Sequence, residues 1–60
     1  MLPKDPAMLL SVINMKLRDF YPSLDALCGD LDESREEILA ALSQIGYQYD
    51  EEKNAFVPIG

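Results

Sequence analysis

Residues 23–42 read SLDALCGDLDESREEILAAL, and the spacing of their apolar side chains decides the fold. Leu24, Leu27, Cys28 and Leu31 recur at helical intervals; the pattern breaks at Asp32 and Glu33, then resumes with Ile38 and Leu42. Ser23 stands at an N-cap position after Pro22. Ser34, followed by Glu37 three residues on, is a capping box, and Glu36 and Glu37 suit the positive end of the helix dipole. Two short helices joined by a tight turn follow, over 24–31 and about 35–45, the rhythm of a helix-turn-helix. Asp32 replaces the glycine usual in such turns and is tolerable there because Asp visits the left-handed region.

Upstream, Asp5 and Pro6 supply an N-cap and a first helical residue, and Pro22 stops continuation, so a first helix is expected over 6–20. At 100° per residue Leu9, Leu10, Ile13, Leu17 and Phe20 share one broad face, and Ser11, Asn14 and Arg18 a polar one. Met8, Val12 and Met15 form a separate apolar stripe roughly opposite the first. Downstream, Ile45 extends the stripe of the third helix, and Gly46 is its expected stop. The period then shortens: YQY and AFV flank the polar run DEEKN, which predicts a β-hairpin over 47–57 and a frayed tail at 58–60. Tyr47, Tyr49, Phe56 and Val57 are available to cover the helices. The expected fold is mainly α, of α+β type: one domain of three helices, helix-turn-helix-like or winged-helix-like, with a short C-terminal hairpin.

Charge bounds the function. The 60 residues hold 5 bases and 11 acids, a net −6. Residues 1–22 carry +1 and residues 23–60 carry −7. Such a surface repels phosphate polyanions and anionic membranes, whose binding gains most from Lys and Arg. At the start of the third helix, where a DNA reader meets base edges, stand Ser34, Arg35, Glu36 and Glu37. Arg35 is the one candidate contact to a guanine, and two glutamates accompany it. A nucleic-acid-associated regulator is therefore the alternative reading rather than the first.

Enzyme chemistry finds little to use. Histidine is absent and Cys28 is the only cysteine, so no catalytic residue, cofactor site or disulfide is assigned. Asp30, Asp32 and Ser34 imitate the start of a calcium loop, but its sixth position is Arg35 and its twelfth is Ala41, where glycine and glutamate are needed. No metal is assigned either. Without a leader-like or membrane-spanning segment, a reduced, cytoplasmic protein is the expectation.

The stripe of Met8, Val12 and Met15 has two readings. Either Met1 to Pro3 or the hairpin covers it, or it is a contact surface for another protein or a second copy, forming a homodimer through the first helix. A non-enzymatic protein-interaction module is the function expected.

Three strings make the chain resemble a known family: PKDP at 3–6, KLRDFY-P-SLDALC at 16–28 and the closing YDEE-K-N-A-FV. Across residues 1–57 it is similar to the short bacterial proteins grouped as domain of unknown function 4250. The resemblance implies a stand-alone cytoplasmic protein and carries over no catalytic or binding residue.

Overall fold

The computed structural model describes residues 2–60. Three helices, α1 (Pro6–Asp19), α2 (Leu24–Leu31) and α3 (Arg35–Ser43), precede an antiparallel hairpin of β1 (Tyr47–Asp50) and β2 (Ala55–Pro58). This is the expected mixture of three helices and a terminal hairpin.

The helix starts and stops follow from local chemistry. Ser23 Oγ accepts from the Ala26 N–H at 3.1 Å and Ser34 Oγ from the Glu37 N–H at 3.2 Å, each satisfying an otherwise orphan donor in the first turn. Asp5 is the N-cap of α1 but makes no side-chain cap bond, and Pro6 has no N–H to satisfy. Asp32 closes α2 in the left-handed conformation (φ 55°, ψ 46°), the role foreseen for it in the turn. Gly46, at φ 81°, reverses the chain from α3 into β1.

One core unites these elements. Leu9, Ile13 and Leu17 of α1, Leu24, Leu27 and Cys28 of α2, Ile38 and Leu42 of α3, and Phe56 of β2 are all buried together. Removing this apolar area from water, at about 25 cal/mol per Å², is what drives the small chain to fold.

Four expectations need correction. Phe20 is exposed (68 %), because α1 ends at Asp19 and Phe20 leaves helical geometry as the C-cap (φ −126°). The 100° projection no longer applies there, and Tyr21 packs on the core instead. Ile45 is likewise exposed, because α3 ends at Ser43 and the chain is already turning. In the hairpin, Tyr49 lies opposite Phe56, and Gln48 opposite Val57. Tyr47, Tyr49 and Phe56 therefore share the face that packs on the helices, and Val57 lies on the other. The tail is not frayed from residue 58: β2 includes Pro58, and the Ile59 N–H bonds the Gly46 carbonyl at 2.8 Å.

Candidate functional site

The candidate surface is built on the outward side of α1. Leu9, Ile13 and Leu17 fix the helix against the core, which turns Met8, Val12 and Met15 away from it. Met8 is 60 % exposed, Val12 is half-buried, and Met15 lies at the margin of exposure. The hairpin reaches only the Met15 end, where Lys53, Asn54 and Ala55 line a groove with it. Of the suggested N-terminal cover, Met1 lies outside the described residues. Leu2 and Pro3 instead line a hollow with Leu9, Ile38 and Ala41, next to α3. The stripe is thus exposed at Met8 and partly covered at Val12 and Met15.

Folding adds a feature that linear order hides. Lys53, from the hairpin turn, comes to the same open groove as Ser11, Asn14, Met15 and Arg18. Three of the chain's five cations thus flank the stripe, Lys16 on one side and Arg18 with Lys53 on the other. Arg18 makes a two-pronged contact with Asp19, Nε to Oδ1 and Nη2 to Oδ2, both at 3.0 Å. That hydrogen bond, above all, raises the guanidinium pKa and lowers that of the carboxyl. The pair is exposed to solvent, so a competing carboxylate displaces it at little cost.

Two asparagines that sequence patterning missed position this groove. The Asn14 amide, placed by periodicity on a polar face, brackets β2: its Oδ1 accepts from the Phe56 N–H at 2.7 Å, and its Nδ2 donates to the Phe56 carbonyl at 3.1 Å. Asn54, left-handed at φ 51°, donates through Nδ2 to the Leu17 carbonyl at 3.0 Å and the Tyr21 carbonyl at 2.9 Å. The first is an acceptor that the end of α1 would otherwise leave unpaired, and the second lies in the turn just beyond it. Tyr49 completes the hub. Its hydroxyl donates to Asn54 Oδ1 at 2.7 Å and accepts from the Leu24 N–H, the first donor of α2, at 3.2 Å. The only hint in the sequence is an Asn at the end of a turn, a residue type that tolerates positive φ.

The other singled-out residues lie elsewhere. Arg35 pairs with α2, its Nε 3.0 Å from Asp25 Oδ1. Together with Pro22, Ser23, Leu24, Tyr49 and Glu51, the pair lines a small hollow whose acids offset the arginine. Cys28 is buried in the core. Burial pushes its thiol pKa up, with the Asp25 charge adding to the rise and Arg35 opposing it. The Tyr21 hydroxyl donates to Asp30, a bond that raises its own pKa. No helix among the described residues is long and apolar enough to cross a membrane.

The fold defines a class, a three-helix domain closed by a two-stranded wing, with an apolar stripe on its first helix. The family model described as "Domain of unknown function (DUF4250)" matches residues 3–56, and the chain belongs to that family. No curated protein and no solved structure matches it.

Proposed function

We propose that this protein is a non-enzymatic protein-interaction module that binds its partner through the outward face of α1. The observation that carries the reading is the partly exposed stripe of Met8, Val12 and Met15 beside cations from two separate elements. Methionine adapts to varied apolar partners, and an exposed apolar patch rimmed by polar groups is the usual mark of a contact surface. Lys16, Arg18 and Lys53 call for a partner that presents carboxylates around an apolar centre, where charge gives orientation and encounter rate. A homodimer through α1 fits less well, because a symmetric pairing presents the same cations to their own copies.

Site-specific photocrosslinking in cells tests this. A photoreactive residue at Met15 is expected to yield one discrete heterologous adduct, and the same residue at Glu36 none. Adding Arg18→Glu and Lys53→Glu to the Met15 probe should abolish the adduct while leaving thermal stability within a few degrees. Equal adducts from positions 15 and 36, or an adduct indifferent to both charge reversals, would refute the reading.

A further inference from the structure

We propose that the open edge of β1 pairs with the same edge of a second copy, joining two hairpins into one four-stranded antiparallel sheet in the order β2–β1–β1–β2. This goes beyond the α1 reading, uses a different surface, and leaves the α1 face free on both copies.

The argument starts from where backbone groups point. Asn14 takes both the N–H and the C=O of Phe56, so both point away from β1. Tyr49, directly opposite Phe56, is then its partner in a non-hydrogen-bonded pair, and its own N–H and C=O point away from β2. Tyr47, two residues back, shares that direction. It lies opposite Pro58, which has no N–H to offer. The bond from Ile59 N–H to Gly46 C=O falls on the alternate register, as this pattern requires. Among the described residues, none of the four outward groups of Tyr47 and Tyr49 has a hydrogen-bond partner.

The two edges of the hairpin are treated unequally. The outer edge of β2 is closed, at Phe56 by the Asn14 amide and at position 58 by proline. Those are devices that prevent strand addition. The outer edge of β1 has no such block, and it is self-complementary. With two copies antiparallel about Gln48, Tyr47 of each faces Tyr49 of the other, and all four outward groups of each strand pair at once. A shift by one hydrogen-bonded step to either side leaves Tyr47 or Tyr49 facing its own copy and takes the other past the strand's end. In the central register Gln48 meets Gln48, and Asp50 meets Gly46, so no carboxylate faces a carboxylate across the strands. Because each copy carries −6, the long-range force opposes association, and added salt must strengthen the pairing.

Gln48→Cys in the full chain tests this directly. Gln48 is exposed in the monomer, and the two copies would form a non-hydrogen-bonded cross-strand pair, close enough for a disulfide. Under mild oxidation the variant is expected to give a linked dimer several-fold faster than a Lys53→Cys control. The unmodified protein should sediment increasingly as a dimer as concentration and salt rise, with Tyr47 and Tyr49 amide exchange slowing in step. Gln48→Lys should abolish the dimer, and Met15→Lys should not. A monomer at every concentration and salt level, with those two amides exchanging like exposed loop amides, would overturn the proposal and leave the edge to a foreign strand or to none. A dimer broken by Met15→Lys but not by Gln48→Lys would overturn it too, moving the contact to α1.

Discussion

Asn14 on α1 and Phe56 on β2, 42 positions apart, form a closed ring of two hydrogen bonds in which a side-chain amide does the work of a third strand. Neither hydrophobic periodicity nor turn chemistry points to it, because an asparagine on a helix surface reads as solvent-facing. Asn14→Leu is expected to leave the half-buried Phe56 N–H and C=O unpaired and to cost about 2 kcal/mol. For a domain this small that lowers Tm by roughly 8–16 °C. Urea denaturation and thermal melts check it; a loss under about 0.5 kcal/mol would mean that water serves Phe56 equally well.

Asn54 combines two contributions that substitution can separate. Asn54→Gly keeps the left-handed backbone (φ 51°) available and removes the bonds to Leu17, Tyr21 and Tyr49, costing about 1–3 kcal/mol. Asn54→Ala also forces a Cβ into that conformation, at about 1–2 kcal/mol more. Stability should fall in the order Asn, Gly, Ala; equal losses for both variants would remove backbone strain from the account.

Gly29 is exposed within α2, and a methyl group added there meets nothing within 4 Å. Its φ is not in the left-handed region, so Gly29→Ala should stabilise by about 0.5–1 kcal/mol through helix propensity alone. An upward shift in the urea midpoint without a change in slope is the expected result.

For Cys28, burial is the leading cause of a raised pKa, followed by Asp25. The neutral thiol is therefore the form that the folded state prefers. Its contribution to stability is fully present below the ordinary thiol range and disappears as pH climbs through the raised value. Native protein near neutral pH should react with a thiol reagent only slowly, and denatured protein at once. Cys28→Ala should flatten the alkaline decline in stability; an unchanged decline would assign it elsewhere, Tyr21 being the next group whose pKa is raised.

How much was legible in the sequence depends on which force fixed each part. Elements held by periodic burial and local caps were readable: Ser23, Ser34 and Asp32 each act where their side-chain chemistry places them, while Gly46 turns the chain two residues past the C-cap Gln44. Residues just past a helix end were not. Phe20 and Ile45 fit an extrapolated helical face, but the chain had already left it. Phe20→Ser should accordingly shift stability by less than about 0.5 kcal/mol, a small surface effect. The stripe on α1 was visible as Met8, Val12 and Met15, whereas the arrival of Lys53 beside Arg18 depends on the hairpin folding back, which no local pattern encodes.

The link from Tyr49 through Asn54 to α1, and from Tyr49 to the start of α2, makes the hairpin tip a keystone rather than an expendable connector. Surface turns ordinarily accept added residues freely. One residue inserted between Asp50 and Asn54 would move the amide away from the end of α1 and from the Tyr49 hydroxyl that meets the start of α2. This protein should therefore tolerate lengthening between α2 and α3 better than at its exposed hairpin turn, and a fragment ending at residue 46 should collapse instead of surviving as a trihelical miniature.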